Sequence, residues 1–197
     1  MVKDDIIPFG QYTWQVLAVE DGRRALLITQ DILELRWYHT RFEDITWANC
    51  ALRQYLNETI YTAFSQGEKA RIMEITNRND NNPWFNTPGG QDTPDHLFLL
   101  SLEEVCQYFG DSLTNLRNKG GQTWAINDDN NHKRQARYGT DFHWWRLRSP
   151  GYYGRTGASI NKNGYVYLRG NGVFGRPRDG GGVRPALWLS LDNQIVP

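Results

Sequence analysis

The sequence predicts an α+β fold in which an antiparallel sheet carries two or more packed helices. Three observations carry that reading. An Asp-Gly pair separates two β-prone runs near the N-terminus, and two capping-box sequences each open a run with apolar residues at helical spacing. Ten of the nineteen glycines lie between Gly151 and Gly182, where short alternating stretches replace the helical pattern. With 197 residues, 39% of them hydrophobic, the chain has enough apolar material for one core, so one domain over residues 1–197 is expected.

Tyr12 to Val19 and Arg24 to Thr29 are the β-prone runs, and Glu20-Asp21-Gly22-Arg23 between them predicts a hairpin. Thr46 is the expected N-cap of a helix bearing Trp47, Cys50, Ala51, Leu52, Tyr55 and Leu56, with Asn57 ending it or capping the next. Ser65-Gln66-Gly67-Glu68 predicts a short helix holding Ile72, and Ser101-Leu102-Glu103-Glu104 predicts another carrying Val105, Cys106 and Phe109. Between them, Asn77 to Pro94 is rich in Asn, Pro, Gly and Asp without periodicity, and reads as a long surface loop. His96 to Leu100 reads as a short buried strand, and Phe142-His143-Trp144-Trp145 as a strongly apolar one.

The formal net charge is zero, so no global field attracts nucleic acid or an anionic membrane. No apolar run reaches the length of a membrane span, and the acidic N-terminus lacks the pattern of a signal peptide. The expectation is a soluble protein without membrane insertion, cytoplasmic by default, with a phage particle or cell surface left open. Cys50 and Cys106 both fall in helix-like segments and read as buried thiols rather than a disulfide.

The C-terminal third differs in kind. Ala158, Ile160, Val166 and Leu168 are apolar at even positions, while Ser159, Asn161, Asn163, Tyr165, Tyr167 and Arg169 occupy odd ones. A period of two puts the sets on opposite faces of a strand, so Tyr165, Tyr167 and Arg169 are expected side by side toward solvent. From Gly151 to Pro185 the charges are Arg155, Lys162, Arg169, Arg176, Arg178 and Arg184 against Asp179, a net +5 that leaves −5 elsewhere. Tyrosine and arginine are enriched where proteins bind partners. The candidate ligand-binding residues are Tyr152, Tyr153, Arg155, Asn161, Asn163, Tyr165, Tyr167, Arg169, Asn171, Phe174, Arg176 and Arg178, expected as one contiguous exposed patch. Between Tyr152 and Gly181 there is no Glu, Gln, Met or Trp and one Lys, although these five types make up about a fifth of the remaining chain.

Several segments in order along the chain carry a resemblance: Ile7-Pro8-Phe9-Gly10, Tyr12 to Leu17, Ala25 to Thr29, Thr46 to Asn57, Leu97 to Ser101, Trp144 to Gly151 and Gly182 to Leu189. Together they resemble an uncharacterised bacterial and phage domain family related to the formylglycine-generating-enzyme type of C-type-lectin-like fold. Some members look like variable proteins of diversity-generating retroelements, whose C-terminal segment is rewritten by adenine-specific mutagenesis of a template. Mutated asparagine codons give Tyr, Arg, Ser, Gly, Asn, Asp, Phe, Pro or Thr but not Glu, Gln, Lys, Met or Trp, which matches the residue types missing here. The resemblance implies a variable segment over 152–181 and a scaffold of Ala158, Ile160, Gly164, Val166, Gly170, Val173 and Gly182 to Leu189. It also implies that the final strand pairs with the first hairpin in one sheet, with the Thr46 and Ser101 helices packed against it. Trp144, Trp145 and Trp188 are then expected in the core.

In this reading the partner is a protein or surface ligand, no cofactor is required, and the chain is not an enzyme. The oxidase members of the superfamily use a late pair of cysteines, and nothing after Cys106 is a cysteine. His39, His96, His132 and His143 lack metal-ligand spacing. Asn127 to Asn131 and Asp92 to Asp95 are oxygen-rich without a full calcium-loop pattern, and read as solvated turns. A fixed-sequence lectin-like module binding carbohydrate or protein is the alternative, and a single-stranded nucleic-acid binder a weaker one.

Overall fold

The computed structural model of the protein describes residues 1–119, 121, 123–175 and 180–192. Its first strands are β1 (Ile6–Phe9), β2 (Tyr12–Glu20), β3 (Arg24–Thr29) and β4 (Glu34–Arg36), followed by β5 (Ile72–Met73), β6 (Ile75–Asn77) and β7 (Thr93–Asp95). Beyond these come β8 (Ala125–Ile126), β9 (Ala136–Tyr138), β10 (Asp141–His143) and β11 (Trp145–Pro150). The last four are β12 (Thr156–Ile160), β13 (Val166–Gly172), β14 (Gly181–Val183) and β15 (Ala186–Ser190). Five short helices interrupt them: α1 (Ala51–Tyr55), α2 (Gln66–Lys69), α3 (Leu102–Tyr108), α4 (Leu113–Arg117) and α5 (Asn131–Arg134). None of the described helices is long and apolar enough to cross a membrane.

Asp21 and Gly22 take φ of 51° and 66°, the left-handed pair that a tight hairpin turn requires, and β2 and β3 pair antiparallel around them. β15 pairs with β3 over Ala186 to Ser190, so the hairpin and the last strand share one five-stranded sheet of order β1-β2-β3-β15-β5. A second sheet has order β4-β14-β11-β12-β13-β8, antiparallel except where β11 runs parallel to β14. β6 with β7 and β9 with β10 form two small ribbons. The fold is therefore α+β with several antiparallel sheets. The principal strand contacts of α3 are β11 and β13, and the turn after Thr46 packs on β11. Both elements thus meet the six-stranded sheet rather than the sheet expected from the sequence.

One apolar cluster runs from Phe9 to Leu189 and includes residues of both large sheets. Trp14, Trp47 and Trp145 are fully buried at its centre, and each indole N–H finds an acceptor: the Phe9 carbonyl at 2.9 Å, Asp95 Oδ2 at 3.0 Å and the Arg134 carbonyl at 2.9 Å. Burying a large ring without satisfying its donor would forfeit much of the gain.

Both capping boxes form. Ser65 and Glu68 cap α2, and Ser101 and Glu104 cap α3, each serine oxygen accepting from the third helical N–H while the glutamate accepts from the serine's own N–H. Other local expectations need correction. Thr46 makes no side-chain cap, and α1 is instead capped by Cys50, whose Sγ accepts from the Arg53 N–H at 3.4 Å. Asn57 does not end the helix but sits in a π-helical turn, where its amide bonds the backbone of Arg53, His96 and Leu97. Ile72 lies in β5, not in α2. Leu97 to Leu100 are buried, but instead of forming a strand the segment meets the sheets at the bridge between Phe98 and Ala186 and at the Leu100 carbonyl, which accepts from the Arg148 N–H at 3.0 Å. The apolar run at Phe142 is broken: Phe142 is exposed on the β9–β10 ribbon, Trp144 is half-buried between strands, and only Trp145 enters the core.

The Asn77 to Pro94 loop also departs from a plain surface loop. Asn82 is buried, and its Nδ2 donates to the carbonyls of Pro150 at 2.8 Å and Leu168 at 3.0 Å. The loop thereby supplies hydrogen bonds that β11 and β13 lack from neighbouring strands.

Candidate functional site

The C-terminal segment is a hairpin of β12 and β13 whose backbone is fixed by glycine and by buried polar groups. At its turn Asn161 Oδ1 accepts from the N–H groups of Asn163 at 2.9 Å and Tyr165 at 3.0 Å, an Asx-type arrangement. Gly164 has φ of 86°, and a Cβ there would overlap the Asn131 backbone. Arg134, wholly buried, donates to the Gly164 carbonyl at 2.8 Å and pairs with Asp128 at 2.6 Å. Burial pushes the Asp128 carboxyl up, but the Ser112 hydroxyl and the Arg134 guanidinium outweigh it and hold the group below the usual range. In β13 a register shift opposite Gly157 to Ser159 is accommodated by Gly170, with φ of 74° and no room for a Cβ against the Gly157 carbonyl.

On this frame the side chains form a ladder of rings and guanidinium groups. Arg169 lies over the Trp124 ring at 4.1 Å and near Tyr152 at 5.9 Å. Tyr152 meets Trp124, Phe85 and Tyr153 edge to face, with centroids 6.4, 4.7 and 4.4 Å apart. Arg155 then bridges Tyr153 at 5.3 Å and Phe42 at 5.6 Å. Tyr152, Tyr153, Phe42 and Trp124 are all exposed.

Beside the ladder lies a groove made of two hollows of about 470 Å³ and about 440 Å³ that share His143, Trp144 and Asn171. Phe142, Asn161, Lys162, Asn163 and Tyr167 line one, and Trp37, Gly172, Phe174 and Gly175 the other. Phe174 is exposed and its ring sits 5.7 Å from Trp37.

Of the predicted residues, Tyr152, Tyr153, Arg155 and Arg169 meet in the ladder, and Asn161, Asn163, Tyr167, Asn171 and Phe174 line the groove. Tyr165 is half-buried and lines neither hollow, and Arg176 and Arg178 lie outside the described residues. The expectation of uniform exposure is corrected: Asn161, Tyr165, Tyr167, Arg169 and Asn171 are half-buried, and Ser159 is fully buried beneath Asn171, whose Nδ2 donates to its Oγ at 2.8 Å. The strict alternation fails because β8 covers part of β13 and the register shift turns Arg169 onto Trp124. Arg184 adds no charge to this surface, because it is buried and donates to the carbonyls of Thr29 and Gln30. Of the scaffold positions all are buried except Gly170, which is half-buried.

Sequence reasoning missed Trp37, Phe42, Phe85, Trp124, Phe142 and His143 as members of this surface, and placed Trp144 in the core. They lie far apart in sequence, and only the fold assembles them. The oxygen-rich stretches are used internally: Asp128 holds Arg134, and Asp95 accepts from Trp47, Arg53, Asn77 and Thr93. Among the described residues no three His, Cys, Asp or Glu side chains gather where an ion could sit. Burial pushes the Cys50 and Cys106 thiols up to about 12, so neither supplies a thiolate at neutral pH.

Residues 22–191 match the family described as Domain of unknown function (DUF6273). No curated protein and no solved structure matches the chain.

Proposed function

We propose that the chain, which belongs to the DUF6273 family, is a ligand-binding protein of receptor or adhesion type. In this reading a C-type-lectin-like scaffold displays a C-terminal surface diversified by a retroelement. One observation carries the reading. Across Tyr152 to Phe174 the positions that fix the backbone, Gly157, Ala158, Ile160, Gly164, Val166 and Leu168, are buried, while Tyr152, Tyr153, Arg155, Asn163 and Phe174 between them are exposed. A surface whose side chains contribute little to the core is one that tolerates their replacement, and aromatic rings beside guanidinium groups provide large contact area at small entropic cost.

The missing residue types support diversification, and the experiment that tests it is genomic. Sequencing around the gene is expected to find a reverse transcriptase and a near-identical copy of the region encoding Trp144 to Leu189 that differs at adenines. A locus with neither would remove diversification and leave a fixed-sequence binding module. The binding part has its own test once a partner protein is in hand. Tyr153→Ala with Arg155→Ala is expected to weaken that complex by about 2 kcal/mol or more, whereas unchanged affinity would place binding elsewhere.

A further inference from the structure

We propose that the groove beside the ladder takes a saccharide bearing an anionic group, a carboxylate or a sulfate ester; this rests on the ligand-binding reading of the same face. The walls supply flat rings, Trp144, Trp37 and Tyr167, against which the C–H face of a sugar stacks. Between them stand polar groups whose partly used valences leave both donors and acceptors. Asn161 spends Oδ1 on two backbone N–H groups, leaving its Nδ2 donors, and Asn171 spends one Nδ2 hydrogen on Ser159, leaving its Oδ1 acceptor. His143 Nδ1 lies 2.8 Å from the Trp144 carbonyl and must donate, which leaves Nε2 as an acceptor in the neutral ring. Adjacent sugar hydroxyls, each donor and acceptor at once, fit such a mixed set.

Charge selects the anionic form. Lys162 lines the groove, and among the described residues no carboxylate does. Beneath it Arg146, 1% exposed, lies 4.9 Å from the Trp144 ring and 5.8 Å from Trp37. Its donors go to the carbonyls of Arg36 and Gly172, and among the described residues it has no carboxylate partner. The buried Arg134 and Arg148 differ, since Asp128 and Glu104 neutralise them. A desolvated cation without a counter-charge favours an anion arriving at the surface above it.

The test titrates the full chain with trigalacturonate, a heparin tetrasaccharide, cellotriose and hexaglutamate, followed by tryptophan fluorescence and calorimetry. At least one anionic saccharide is expected to bind saturably and about tenfold or more tighter than cellotriose. Asn163→Asp, an exposed change that adds a negative charge at the rim, is expected to weaken that binding by about fivefold or more without altering the Tm, and Lys162→Ala to do the same. Hexaglutamate binding as tightly as the saccharides, or no saccharide binding below about 10 mM, overturns the proposal. The two readings fail separately. Loss of a protein partner on Tyr153→Ala with Arg155→Ala, together with indifference to every saccharide, removes this inference and keeps the ligand surface. Indifference of that partner to changes on both ladder and groove removes the surface itself.

Discussion

The loop from Asn77 to Pro94 and the segment from Tyr152 to Phe174 invert what their compositions suggest. The first is polar and turns Asn77 and Asn82 into the interior, where they bond Asp95 and the strands β11 and β13. The second is rich in aromatic residues and turns Tyr152, Tyr153 and Phe174 to solvent. The difference lies in hydrogen-bond accounting. Short strands with register shifts leave backbone carbonyls without partners, and an asparagine amide satisfies them where a ring cannot. The aromatic segment has its carbonyls paired partly between β12 and β13 and partly by donors from outside, Asn82 to Leu168, Arg134 to Gly164 and Thr87 to Tyr152, so its rings are not needed in the interior and turn to the surface.

Substitutions in the two regions should therefore separate by size. The reference for a core loss is Trp145→Ala, which opens a cavity and strips the donor from the Arg134 carbonyl; it is expected to cost about 3–5 kcal/mol in urea denaturation. Asn82→Ala follows at about 2–3 kcal/mol, because two buried carbonyls lose their donor. A cost near zero there would show that the loop merely lies on the strands. Gly164→Ala sets a left-handed residue against the Asn131 backbone and is expected to cost about 1–3 kcal/mol.

The two thiols make stability depend on pH. Both are held up to about 12 when folded, above the ordinary value near 9. A raised folded value means that the unfolded chain loses these protons first as pH rises. Stability is therefore whole below about pH 9 and falls as pH climbs through the interval to about 12. Urea midpoints at pH 8 and pH 10 check this, with a Cys50→Ala and Cys106→Ala double variant expected to show a shallower decline.

What was legible in the sequence was local chemistry. Asp21-Gly22 specified its turn, and Ser65 with Glu68 and Ser101 with Glu104 specified their helix starts, because each device is complete within four residues. The even positions Ala158, Ile160, Val166 and Leu168 identified an inward face for the same reason. What failed depended on distant partners. Asn57 and Asn82 bond segments about forty and more residues away, Arg184 finds its acceptors at the other end of the chain, and Trp144 stays half-buried beside the groove. The site suffered most: three of the ladder's seven members are Phe42, Phe85 and Trp124, none of which carries a local signal.

The most direct test of a surface separable from its scaffold combines Tyr153→Ser, Arg155→Ser, Asn163→Ser and Phe174→Ser in one chain and follows thermal unfolding. Each change is expected to cost within about 0.5 kcal/mol, so the combined fall in Tm stays to a few degrees and the transition stays cooperative. A fall as large as that of Trp145→Ala, or a broadened transition, would show that these side chains hold the fold together and would contradict a replaceable binding face.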